Sequence, residues 1–146
     1  MLPLPQWPRE PRRSLAGILT DIDDTLTTEG TVTPDVLQAM ADLKSAGLHV
    51  IAITGRPVGW SEPFALAWPI DAIVAENGAV ALVRGPDGRL RKHYQQDADT
   101  RARNFARMQQ VSARIVAAVP GALPAQDSAG RETDIAIDHS EFTELP

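Results

Sequence analysis

Leu15-Ala16-Gly17-Ile18-Leu19-Thr20-Asp21-Ile22-Asp23-Asp24-Thr25-Leu26-Thr27 begins as a short apolar run and ends in carboxylates. Such a run reads as a buried strand over about residues 16–21. The polar stretch from Thr27 to Thr33, with Gly30 inside it, is a turn or small hairpin. Thr33-Pro34 then supplies an N-cap and a proline at the first helical position, where its missing N–H costs nothing. Val36, Leu37, Met40 and Leu43 recur at helical spacing and Gly47 offers a C-terminal stop, so the spacing predicts a helix over 34–46. Leu48-His49-Val50-Ile51-Ala52-Ile53 is nearly all apolar, as in a parallel strand covered on both faces. Strand, helix, strand in this order is a βαβ unit with a right-handed crossover. Arg56 to Trp68 reads as a helix bent or broken at Pro63, and Ala72-Ile73-Val74-Ala75 as a third buried strand. The fold class is α/β, with a Rossmann-like parallel sheet.

Further along, the pattern changes. Residues 79–83 and 90–94 flank Gly85-Pro86-Asp87-Gly88, two strands around a tight turn. Asp97 to Val119 is a long helix with Phe105, Met108, Val111, Ile115 and Val119 on one side. Pro120 to Gly130 is a loop, and residues 133–138 alternate like a half-buried strand. The expected division is an extended proline-rich arm over 1–14, a core over 15–79 and the start of an α+β cap module over 80–146.

Composition narrows the function. The 146 residues carry a net charge of −5, which argues against a general nucleic-acid binder. There is no cysteine, which removes disulfides, thiolate metal sites and a Cys nucleophile. No apolar run approaches the roughly 20 residues of a membrane span, and residues 1–14 lack the apolar core of a secretory signal. A cytoplasmic protein with no membrane or nucleic-acid partner is the expectation.

The chemistry concentrates at strand ends. Alternation places Asp21 and Asp23 on one side, beyond the carboxyl end of the first strand, where ligands of open α/β sheets bind. Two carboxylates there repel by roughly 4 kcal/mol at about 4 Å separation. A cation between them, a shared proton or splaying into water relieves this, and the cation option suits Mg²⁺. The next strand ends in Ile53-Thr54-Gly55-Arg56-Pro57, a hydroxyl and free N–H groups that make an anion cradle.

Asp21-Ile22-Asp23-Asp24-Thr25 resembles the first motif, Asp-x-Asp-x-Thr, of the haloacid dehalogenase (HAD) superfamily of phosphohydrolases. Ile53-Thr54-Gly55-Arg56-Pro57 resembles the second motif in its sugar-phosphatase form. Glu76-Asn77-Gly78-Ala79, and the stretch from Arg131 to Asp138, are similar to segments of the capped branch of that group. The resemblance implies an aspartyl-phosphate mechanism on a small sugar or polyol phosphate. Asp21 would be nucleophile and Mg²⁺ ligand. Asp23 would be general acid and base, with its main-chain carbonyl on the metal. Thr54 and Gly55 would bind the phosphoryl group, and Thr25 would hold the loop. A phosphomutase is the chemical alternative, and an inactive fragment or interaction module the non-enzymatic one. The third-motif Lys and the fourth-motif acidic pair of the superfamily have no match here, so the expectation is the N-terminal portion of a longer phosphatase.

Other residues have weaker claims. Arg56, Asn77 and Arg131 are candidate substrate contacts, with pairing of Arg56 to Glu76 and a turn role for Asn77 as the structural readings. Trp7, Trp60 and Trp68 read as packing anchors, His49 as a core or surface residue, and His93 and His139 carry no role. Arg101, Arg103, Arg107 and Arg114 read as the solvated face of the long helix.

Overall fold

A computed structural model describes residues 3, 6–8, 10 and 13–138. Its centre is a five-stranded sheet in the order β1-β4-β5-β6-β7, formed by β1 (Gly17–Asp21), β4 (His49–Ile53), β5 (Ala72–Ala75), β6 (Val80–Arg84) and β7 (Leu90–Tyr94). β1, β4 and β5 run parallel, and β6 and β7 continue the sheet antiparallel. The short strands β2 (Thr27–Thr28) and β3 (Thr31–Val32) make the hairpin expected after β1. A second short pair joins β8 (Leu123–Pro124) to β9 (Ile137–Asp138).

Among the residues from 15 to 138, three α-helices pack around this frame. α1 (Pro34–Ser45) starts on Thr33, held extended, with Pro34 at its first position. It stops at Gly47, whose φ of +84° ends the helix where a side chain would be strained. α2 (Val58–Ala67) accommodates Pro63 without breaking. α3 (Ala98–Ala118) is capped by the Asp97 carboxylate, which accepts from the Thr100 amide. Ile22, Met40, Val50, Ala52, Val58, Ile73, Val80 and Leu82 form the heart of the core. Trp60, Phe64 and Trp68 stack in series along α2, with ring centroids 4.5 and 4.8 Å apart, so Trp60 and Trp68 act as packing residues.

Three expectations need correction. The hairpin at 80–94 does not open a separate module: β6 pairs with β5 from Ala72↔Val83 to Ala75↔Val80 and lengthens the core sheet. The first strands are not covered on both faces. Val50 and Ala52 are buried, whereas Leu19 on the opposite face is 68 % exposed and Ile51, its register partner, is only half-buried. The alternating stretch 133–138 is a strand only at Ile137–Asp138, because the polar groups before it are engaged with the ends of the core strands. In the arm, Glu10 and Arg13 are helical rather than extended, which the fixed φ of nearby prolines permits at a first turn. Pro3 and Pro8 carry no regular structure, and residues 1, 2, 4, 5, 9, 11 and 12, with His139, lie outside the described residues.

Candidate active site

At the end of β1 the chain turns tightly. The carbonyl of Ile22 accepts from the amides of Thr25, Leu26 and Thr27 at 3.3, 2.9 and 3.0 Å. The Thr27 hydroxyl donates to the same carbonyl at 3.2 Å and accepts from the Asp24 amide at 3.0 Å. Asp24 sits at φ +55°, a conformation that short polar side chains tolerate better than most. This closure turns Asp21 and Asp23 to the carboxyl edge of the sheet. The Thr25 hydroxyl donates to Asp21 Oδ2 at 3.2 Å, so Thr25 holds the loop as expected. Thr27, which sequence reading left as part of a turn, holds it equally.

Parallel pairing sets Asp21 beside Ile53, the last residue of β4. Thr54 follows, only 2 % exposed. Its amide donates to the Val74 carbonyl at 2.9 Å and its carbonyl accepts from the Asn77 amide at 3.2 Å, which fixes the backbone. Its hydroxyl accepts from the Arg56 amide at 3.0 Å and donates to Asp23 Oδ2 at 3.3 Å. The other oxygen of Asp23 accepts from Arg56 Nε and Nη2 at 3.1 and 2.9 Å. The Arg56 guanidinium also lies 5.6 Å from the Trp60 ring centre. Repulsion between the two carboxylates is therefore eased by a guanidinium, a route the sequence reading had not considered. The Arg56 guanidinium pairs with Asp23, and its main-chain carbonyl accepts from the Glu76 amide at 3.1 Å.

Glu76 has another task. It is 2 % exposed. Its Oε1 accepts from the Val58 amide at 3.1 Å, at the start of α2, and from the Glu132 amide at 2.8 Å. Its Oε2 accepts from the Thr133 amide at 2.6 Å and from the Thr133 hydroxyl. A buried carboxylate is tolerable with so many donors. Arg131 works beside it. Its side chain is 9 % exposed, with Nη2 on Asp127 at 3.1 Å and Nη1 on Asp134 at 2.8 Å. Nη1 also donates to the Gly55 carbonyl at 3.2 Å. Burial opposes the Arg131 charge, but hydrogen bonds to Asp134 and Asp127 outweigh it, and its pKa lies above the ordinary arginine value. Asn77, at φ +57°, donates from Nδ2 to Asp134 at 3.2 Å. Of the three candidate substrate contacts, then, Arg131 and Asn77 are tied to a segment that clamps the ends of β4 and β5, and Arg56 is tied to Asp23.

This clamp was not foreseen. Its signal in the sequence was a run of four polar residues, Arg131 to Asp134, that leads into the stretch 133–138 read as a strand. Two glycines permit the close approach: a Cβ built on Gly59 would lie 3.1 Å from Gly130 Cα, and one on Gly130 would lie 3.3 Å from Pro57 Cβ. A Cβ on Gly55 would lie 3.0 Å from Asn77 Oδ1.

The lysines lie elsewhere. Lys44 pairs with Asp71 at 2.5 Å, and Lys92 bridges Glu62 and Glu132 at 2.7 and 2.6 Å. Among the described residues no group of three or more His, Cys, Asp or Glu gathers to hold a metal. No helix among the described residues is long and apolar enough to cross a membrane.

The sequence profile of the haloacid dehalogenase-like hydrolases matches residues 18–117, from β1 to the end of α3. The chain belongs to that family. A 46-residue stretch is 44 % identical to a Streptococcus pyogenes serotype M6 protein that carries a provisional phosphatase name, covering 31 % of this chain and 17 % of that protein. A Thermoplasma acidophilum protein, 0175, shares the fold at 14 % identity with a TM-score of 0.60, over 87 % of this chain and 52 % of that one. A Bacteroides thetaiotaomicron protein described among the phosphatases of the haloalkanoate superfamily does so at 17 % identity and a TM-score of 0.53, over 97 % and 46 %. The chain thus spans about half the length of these solved structures, and a smaller part of the curated relative.

Proposed function

We propose that this chain carries the nucleophile and phosphate cradle of a phosphomonoester hydrolase that acts on a small sugar or polyol phosphate. The observation that carries this reading is the meeting of β1 and β4: Asp21 and Asp23 stand beside a buried Thr54 whose hydroxyl touches Asp23. The relatives' phosphatase names point the same way.

In this reading an Asp21 carboxylate oxygen attacks phosphorus, and the bond from phosphorus to the alcohol oxygen breaks. Asp23 gives its proton to the departing oxygen. Asp23 then takes a proton from water as that water attacks phosphorus, and the bond from Asp21 to phosphorus breaks to release phosphate. The Thr54 hydroxyl and the amides around Gly55 hold the phosphoryl oxygens. Arg56 takes both acceptor sites of Asp23 Oδ1 and Thr54 takes one of Oδ2, which leaves Oδ2 as the oxygen that faces the leaving group.

Mg²⁺, which the family resemblance implies, fits the donors in kind. The Asp21 carboxylate keeps one oxygen free of the Thr25 hydrogen bond, and the Asp23 main-chain carbonyl is a second hard oxygen. When bound, the ion would offset negative charge on Asp21 and the phosphoryl group. Two protein ligands leave the remaining positions to water and substrate, so affinity through these residues alone is weak.

Inorganic phosphate titrated into the ¹⁵N-labelled protein tests the cradle directly. The reading expects saturable shifts of the Thr54, Gly55 and Arg56 amides. Shifts confined to other segments would overturn it.

A further inference from the structure

Beyond the phosphate cradle, the same edge of the sheet holds a second opening. A cavity of about 280 Å³ lies where β6 begins, β7 ends and α3 crosses. Its floor is Ala79 and Met108, and its walls carry the amides of Gln95, Gln96 and Asn104 and the guanidinium groups of Arg101 and Arg107. No carboxylate lines it.

These groups differ in readiness. Arg101 is already placed: it lies 3.5 Å from the Tyr94 ring centre and donates to the Gln96 carbonyl at 3.0 Å. The Asn104 amide donates to Gln96 Oε1 at 3.0 Å, which orients both side chains. The Arg107 guanidinium has no hydrogen bond or ion pair among the described residues. Glu132, which accepts from the Tyr94 hydroxyl at 2.6 Å, offsets part of the Arg101 charge, but in a chain of net charge −5 a cavity lined by two arginines and no carboxylate still favours anions.

The cavity neighbours the cradle through residues bonded to both. Ala79 lies two residues beyond Asn77, whose side chain abuts Gly55. Thr133, on the cavity wall, is bonded to Glu76. From β4 to β6 is two strand spacings, roughly 10 Å, about the reach of a six-carbon chain with a phosphate at one end.

The geometry points to a substrate whose leaving alcohol is a polyhydroxy carboxylate, a phosphorylated sugar acid, with the carboxylate on Arg107 and Arg101 and the hydroxyls on Gln95, Gln96 and Asn104. This rests on the phosphatase reading for the substrate's other end, but the cavity's own preference is testable apart from it. A guanidinium fork matches a carboxylate in two parallel hydrogen bonds, and the carboxamides suit hydroxyls, which both donate and accept.

The test is a titration of the full chain with sodium gluconate, with glucitol as the neutral probe and sodium chloride as the salt control, followed by side-chain amide and methyl resonances. Gluconate is expected to shift Gln95, Gln96, Asn104 and the Met108 methyl in a saturable way, at least tenfold tighter than glucitol. Arg107→Gln, on an exposed helix position where Gln is well tolerated, is expected to weaken gluconate on the order of tenfold. Equal affinity for glucitol and gluconate, shifts elsewhere, no change in Arg107→Gln, or tighter binding of inorganic phosphate at the same resonances would overturn the assignment. Gluconate binding in a protein that shows no turnover of p-nitrophenyl phosphate and no phosphate-induced shifts at Thr54, Gly55 and Arg56 would leave the cavity standing and remove the phosphatase reading. The reverse pattern would remove the cavity alone.

Discussion

The Thr54 hydroxyl donates to Asp23 Oδ2 at 3.3 Å across the boundary between β4 and β1, and it is the only side-chain hydroxyl among the described residues that touches this carboxylate. Burial of Thr54 keeps this hydroxyl in one place, as a donor must be to stabilise charge that develops only during reaction. Thr54→Ala is expected to lower turnover on the order of 10²–10³, as for a lost oxyanion donor. Thr54→Ser, which keeps the hydroxyl, is expected to recover most of it. Steady-state kinetics on p-nitrophenyl phosphate decide, and an unchanged rate in the alanine variant contradicts the assignment.

Glu76 makes a separate prediction about stability. Its carboxylate answers three backbone amides from two distant segments. Glu76→Ala leaves them without an acceptor in a water-poor site and is expected to cost about 3 kcal/mol. Glu76→Gln retains one acceptor oxygen and is expected to cost less. Urea unfolding reads this as a drop in midpoint at constant slope. An alanine variant as stable as the parent would mean that the 127–134 segment does not depend on this carboxylate.

Asp71 sets a pH dependence. Burial pushes its carboxyl up, but the Lys44 ammonium, the Val50 amide and the nearby charge of His49 outweigh it and hold it below the usual value. Its folded pKa is depressed, so its contribution is present above the unfolded carboxylate value of about 3.9 and fades as pH falls through the folded value. Stability measured by urea titration across this acid range is expected to fall less steeply in Asp71→Asn than in the parent. Parallel curves for the two proteins would contradict the pairing with Lys44.

Much of the frame was legible because single residues announce it. Pro34 and Gly47 bracket α1, Asp97 caps α3, and the apolar runs before Asp21 and Thr54 become neighbouring parallel strands. The placement of Asp21, Asp23, Thr25 and Thr54 followed, since strand ends are local features that topology then brings together. What stayed hidden depends on contacts distant in sequence. The bond from Arg131 to the Gly55 carbonyl spans 76 positions, and nothing in the spacing of either segment reveals it. Alternation favoured a strand over 133–138, but polar groups whose partners lie on other elements overrode it. Arg101 and Arg107 looked like a solvated helix face for the same reason, because the hairpin end that turns that face into a cavity wall lies on another element.

In the proposed reaction Asp21 accepts the phosphoryl group. Asp21→Asn keeps the size of the side chain and an acceptor for the Thr25 hydroxyl but removes the carboxylate proposed as nucleophile. Turnover of p-nitrophenyl phosphate, measured beside the unaltered protein with Mg²⁺ present, tests it most directly. The account predicts that the variant's activity falls to background while its fold, read by circular dichroism, is kept. Turnover that persists at the parental rate would contradict it.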